Sequence, residues 1–93
     1  MNAELRSRLT AAAEHAQTRE LITFFFRDHP QGATFEGTKE MLFLHDAFEE
    51  SQLTNLVDLG ILFFDGKRYK VSPATRLVLE RDATILMDEF LRE

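Results

Sequence analysis

Apolar residues at helical spacing open the chain: Leu5, Leu9, Ala12, Ala13 and Ala16 form a thin stripe, with Asn2 placed to cap it. Thr18 is positioned to cap a second helix from Arg19 to about Asp28, which Pro30 and Gly32 stop. Ala16-Gln17-Thr18 holds no breaker, so the two segments also read as one continuous helix. Phe24, Phe25 and Phe26 span about 200° of helix surface, more than one core face receives. They imply a helix sandwiched between the core and a terminal helix, or a contact with a second copy.

Thr38 is the expected cap of the next helix, Lys39 to His45, although Met41-Leu42-Phe43-Leu44 reads equally as a buried strand. Asp46 with Glu49 three residues later is an Asp version of the capping box, so a further helix should begin near Ala47. Leu53, Leu56 and Val57 make its apolar face, Gly60 its end, and Ser51, Thr54, Asn55 and Asp58 the opposite polar face.

Asp65-Gly66 lies between two strand-like runs and predicts a two-residue type I′ hairpin. That loop pairs Phe64 with Lys67, Phe63 with Arg68, Leu62 with Tyr69 and Ile61 with Lys70. Leu62, Phe64, Tyr69 and Val71 then face the core, and Phe63 stands outside beside Arg68 and Lys70. Ser72-Pro73 caps and starts the last helix, with an interruption expected at Asp82. Apolar pairs seven apart, Val78 with Ile85 and Leu79 with Leu86, call for a helical partner along its length. The N-terminal helix of this chain and the C-terminal helix of another are the candidates. The fold class is mainly α with a small β-hairpin, in one domain: an N-terminal helix over 1–17, a core over 18–72 and a C-terminal helix over 73–93.

Charge changes this picture. The chain carries −5 overall, which disfavours a broad non-specific grip on nucleic acid or anionic lipid. Residues 38–60 carry −4 and residues 61–72 carry +2, so the hairpin is the single basic segment. With 93 residues, 44% hydrophobic and nine Phe, the composition is that of a folded domain. The absence of cysteine excludes disulfides and thiolate chemistry. No apolar leader opens the sequence and no run is long enough for a membrane span, so the expected location is the cytoplasm.

Catalytic patterns are missing. His15, His29 and His45 lack metal-ligand spacing, the four glycines form no phosphate loop, and no serine has a nucleophile context. The neighbouring carboxylates Glu49/Glu50 and Asp88/Glu89 diverge on helices instead of facing one another. Neither an enzyme nor a cofactor is expected.

Helix, turn, helix and then a hairpin with a basic return strand resembles the winged helix-turn-helix superfamily, of the small transcriptional-regulator type. The likeness is carried by Thr38–His45, the turn Asp46-Ala47, Phe48–Leu59, the exit Leu56-Val57-Asp58-Leu59-Gly60-Ile61-Leu62 and the Asp65-Gly66 wing. The resemblance implies a short strand at Ala33-Thr34-Phe35-Glu36. It also implies a third helix in the major groove and a wing on phosphate. By position, Ser51, Thr54 and Asn55 would face bases, Lys67, Arg68 and Lys70 phosphate, with Phe63 in the contact patch. The sequence departs from the pattern in its third helix, where Glu49, Glu50 and Asp58 replace the usual cations; Glu49 is explained as a cap partner, the other two are not. Two functions follow: a DNA-binding regulator, homodimeric through Leu5, Leu9, Ile85, Leu86 and Phe90 of its terminal helices, or an acidic protein-interaction module of the same fold that binds no DNA.

Overall fold

The computed structural model describes residues 3–42 and 48–87. Five α-helices lie among them: α1 (Ala3–Ala13), α2 (Ala16–Thr23), α3 (Phe35–Leu42), α4 (Ser51–Asp58) and α5 (Pro73–Arg81). A π-helical turn, Phe24–Asp28, extends α2, and a 3-10 turn, Ala83–Leu86, follows α5. The strands β1 (Leu62–Phe64) and β2 (Tyr69–Val71) form an antiparallel hairpin. The fold class is as expected, mainly helical with one small hairpin. No helix among the described residues is long and apolar enough to cross a membrane.

The N-terminal stripe divides where no breaker stands. α1 ends in a tight turn at Glu14, and His15 adopts an extended backbone before α2 begins. The reason is tertiary. Leu9 and Ala13 of α1 and Leu21 and Ile22 of α2 all enter one core, which requires the two helices to fold onto each other. Arg19 secures the bend by donating to the Ala13 carbonyl at 2.7 Å, one of the carbonyls a helix end leaves without an intrahelical partner.

All three consecutive phenylalanines are placed within one chain. Phe24 and Phe25 are buried edge-to-face, with ring centroids 5.0 Å apart. The π turn closes with the His29 amide donating to the Phe24 carbonyl at 2.8 Å, and the His29 ring lies on Phe24. Phe26 is half-buried beneath the Arg76 guanidinium of α5, 5.1 Å from its ring centroid. The sandwiched helix is the arrangement found.

The expected strand at Ala33–Glu36 shrinks to one residue. Ala33 exchanges both backbone hydrogen bonds with Tyr69, while Phe35 and Glu36 already belong to α3. Thr34, four residues before the expected Thr38, caps that helix: its Oγ1 accepts the Gly37 amide at 3.0 Å. Thr38 is instead a buried interior residue whose hydroxyl donates to the Thr34 carbonyl. The helix-or-strand ambiguity at Met41 resolves as helix through Leu42; Phe43 to Ala47, including Asp46 and His45, lie outside the described residues.

α4 begins at Ser51, later than the expected start near Ala47. Phe48 is buried, stacked on Phe35 with centroids 5.2 Å apart. The capping interaction is displaced by three residues: the Glu49 amide donates to Gln52 Oε1 at 2.9 Å, so Glu49 receives the reach-back bond and Gln52 supplies it. At the other end Ile61 donates to the Leu56 carbonyl and Gly60 (φ +81°) to that of Val57, the Schellman closure. Arg8 of α1 donates to the Leu59 carbonyl at the same terminus.

Ser72 joins this exit to α5. Its hydroxyl accepts the Thr75 amide at 3.2 Å and donates to the Gly60 carbonyl at 2.8 Å. Asp82 interrupts the last helix as expected, capping the 3-10 turn through Thr84 and pairing with Arg6 of α1. Val78, Leu79 and Ile85 are buried with Leu9, so the helical partner required by the seven-residue pairs is α1 of the same chain. Leu5 and Leu86 also pack on this core. The apolar surplus from which a homodimer was expected is therefore used internally, except for Phe90, which lies outside the described residues.

Candidate nucleic-acid or protein interface

The hairpin is built differently from the two-residue turn. Leu62 pairs with Val71, Phe63 with Lys70 and Phe64 with Tyr69, which leaves a four-residue loop, Asp65–Arg68. The cause is the Asp65 side chain. One carboxylate oxygen accepts the amides of Lys67 at 2.9 Å and Arg68 at 2.8 Å, while the other meets Lys70 Nζ at 3.0 Å. An Asp that caps its own loop outcompetes the tighter turn. These bonds, first from the Arg68 amide, then from Lys67 and Lys70, hold the carboxyl well below the usual carboxylate range.

The pairing has slipped by two residues, so every strand residue keeps its expected face. Leu62, Tyr69 and Val71 are buried. Phe64, expected in the core with them, is 48% exposed. Its ring rests on Tyr69, centroids 4.7 Å apart. Phe63 lies on the other face at 36% exposure, with Lys70 Nζ 6.0 Å from its centroid. Arg68 is in the loop, and Lys70 takes the place opposite Phe63 that the tighter turn gave to Arg68.

The expected contact residues therefore fall into three groups. Ser51, Thr54 and Asn55 are exposed on α4, as the helical spacing required. Thr54 spends its hydroxyl proton on the Ser51 carbonyl, whereas the Asn55 amide has no intramolecular partner among the described residues. Lys67 and Arg68 stand at the hairpin tip without an ion pair among the described residues, and Lys70 is committed to Asp65.

A residue without a stated role links these groups. Tyr69 Oη donates to Glu50 Oε2 at 2.7 Å, fastening β2 to the entrance of α4. Burial and then the Glu50 carboxylate push the phenol up to about 12. Glu50 is thus not an unexplained acid on a reading helix but the anchor of the hairpin. Nothing in a one-dimensional pattern marks a pair nineteen residues apart; the sole cue was a tyrosine at a core position, whose hydroxyl needs a partner.

Comparison with protein-family models, curated proteins and solved structures returned no match. The reading of the site therefore rests on its own chemistry. Around α4 and the hairpin, four carboxylates (Glu49, Glu50, Asp58, Asp65) face three cations (Lys67, Arg68, Lys70), a net of −1. Two of the carboxylates are committed, Asp65 to its loop and Glu50 to Tyr69. Elsewhere, an open groove of about 430 Å³ is lined by polar residues of α2 and the π turn together with Leu42 and Leu86. Among the described residues no group of three or more His, Asp or Glu could hold a metal ion.

Proposed function

We propose that this chain is a winged-helix DNA-binding protein of the transcriptional-regulator type, with α4 in the major groove and the hairpin as its wing. The observation that supports this most is the Tyr69–Glu50 hydrogen bond. It ties the hairpin, whose Lys67 and Arg68 make no ion pair among the described residues, to the start of the helix bearing Ser51, Thr54 and Asn55. Asn55 offers the paired donor and acceptor that match adenine in the major groove, and the two cations meet phosphate. Of the acids that oppose this reading, the Glu49 and Asp58 carboxylates have no side-chain partner among the described residues; Asp58 sits in the last turn of α4 and Glu49 before its first.

A second reading is supported by different features. Phe63 and Phe64 are exposed on the hairpin, the chain is acidic, and aromatic anchors beside arginine are enriched in protein interfaces. On that reading the same hairpin docks on a protein and DNA is not bound.

Selection from a random-sequence duplex pool, followed by anisotropy titrations at several salt concentrations, separates the two. Enrichment of a sequence with affinity that falls as salt rises supports the regulator. No retention of any duplex at low salt overturns it.

A further inference from the structure

Resting on the DNA-binding reading, we infer that the hairpin is a stacking wedge for unpaired nucleobases, so that this protein prefers locally opened or single-stranded DNA over an intact duplex. Three observations carry the inference. Phe63 and Phe64 project from opposite faces of a two-stranded ribbon, and each is exposed by a third or more. One flat partner surface buries only one face of such a ribbon and leaves the other ring in water. An opened base step has a base on each side and receives both.

The rings are also braced. Phe64 leans on Tyr69, itself held by Glu50, and Phe63 lies under the Lys70 ammonium. Little side-chain freedom is left to lose on binding, which favours association. Lys67 and Arg68 lie in the loop that joins the two ring-bearing strands, where the phosphates next to an unstacked base would run.

Charge arithmetic favours the same conclusion. Lys67 and Arg68, the hairpin cations without an ion pair among the described residues, give a salt slope of only about 1.5 to 2, which on an acidic protein supplies little affinity. Stacking one base on an aromatic ring is worth roughly tenfold or more and does not depend on net charge. An acidic hairpin protein that grips nucleic acid must therefore lean on its rings.

The test uses the full chain and three labelled probes of one mixed sequence: an intact duplex, the same duplex with a central unpaired bubble, and the single strand. The bubble should bind about tenfold or more tighter than the duplex. Phe64→Leu, and independently Phe63→Leu, should collapse that ratio towards one, with folding checked by circular dichroism. A 2-aminopurine in the bubble should lose fluorescence on binding the unmodified protein, a readout that needs no variant. Equal affinity for bubble and duplex without quenching overturns the wedge and leaves the DNA-binding reading standing. Failure to bind any of the three probes at low salt removes both, and assigns the two phenylalanines to a protein partner.

Discussion

Tyr69 and Glu50 are joined by a 2.7 Å hydrogen bond that spans nineteen residues and ties the hairpin to the first turn of α4. Among the described residues it is the one side-chain hydrogen bond between the hairpin and the start of α4, so its loss should alter function as well as stability.

Tyr69→Phe should cost about 1.5 to 3 kcal/mol, the range for a hydrogen bond to a charged acceptor, with Glu50→Ala coupled to it in a double-mutant cycle by more than about 0.5 kcal/mol. The pH dependence follows first from the burial of the same phenol and then from its contact with Glu50. In the unfolded chain the phenol ionises near about 10, and in the folded protein near about 12. The folded state therefore favours the neutral form. That contribution, on the order of 2 kcal/mol, is complete below pH 10 and lost as the pH rises towards 12. Tyr69 is the single tyrosine and the chain has no tryptophan, so absorbance titration reads this group directly. A midpoint near 10 in the folded protein would refute the assignment.

Gly32→Ala should be far more damaging than Gly60→Ala, although both glycines have positive φ, +95° and +81°. At Gly60 an added Cβ meets open space, so the cost is backbone strain alone, about 1 kcal/mol. At Gly32 it would lie 2.6 Å from Lys70 Cγ and 2.8 Å from the Tyr69 carbonyl oxygen, pushing β2 away from its Ala33 bridge. A cost of about 3 kcal/mol or more is expected, and equal melting temperatures for the two variants would contradict it.

Asp65→Ala should speed hydrogen exchange at the Lys67 and Arg68 amides and lower the melting temperature. It also frees Lys70, so low-salt DNA affinity should rise. The carboxyl of Asp65 is depressed in the folded state, hence its contribution is present above the ordinary carboxylate range, near about 4, and is lost as the pH falls below it. The carboxyl-carbon chemical shift of Asp65 should stay that of the ionised group through pH 4; a midpoint there would show the loop bonds to be weak.

On DNA, Arg68→Ala should weaken all sequences alike and lower the salt slope by about 1. Asn55→Ala should instead relax preference at one or two base pairs. Asp58→Asn removes an acid that has no side-chain partner among the described residues and should tighten non-specific binding, whereas Glu50→Gln also disturbs the Tyr69 anchor. A uniform effect of Asn55→Ala on every sequence would argue against α4 as the reading element.

Elements whose signals are local were legible from sequence. Ser72-Pro73 opened α5, Gly60 closed α4, and Asp82 broke the last helix, because each depends on residues within a turn of itself. The errors share a physical origin. The break at His15 is imposed by packing Leu9 and Leu21 into one core, which no breaker announces. Thr34 rather than Thr38 caps α3 because both are threonines in plausible positions, and only the Ala33–Tyr69 bridge decides where the extended chain ends. The hairpin loop was misjudged because Asp-Gly marks a turn without saying whether the Asp side chain will take over its hydrogen bonds. Of the candidate site, the polar face of α4 and the basic tip were readable; the Glu50 anchor was not, since it exists only after the hairpin folds back.

The slip of two residues in the hairpin has a further consequence. Apolar alternation has a period of two, so it cannot distinguish this pairing from the tighter one: β2 could slide by two residues, about 7 Å along β1, with every side chain still on its own face. What selects between the two settings is the Asp65 carboxylate. It acts as the pawl of a ratchet whose teeth are two residues apart, and a single substitution there changes how far the tip reaches without touching the code that folds the domain.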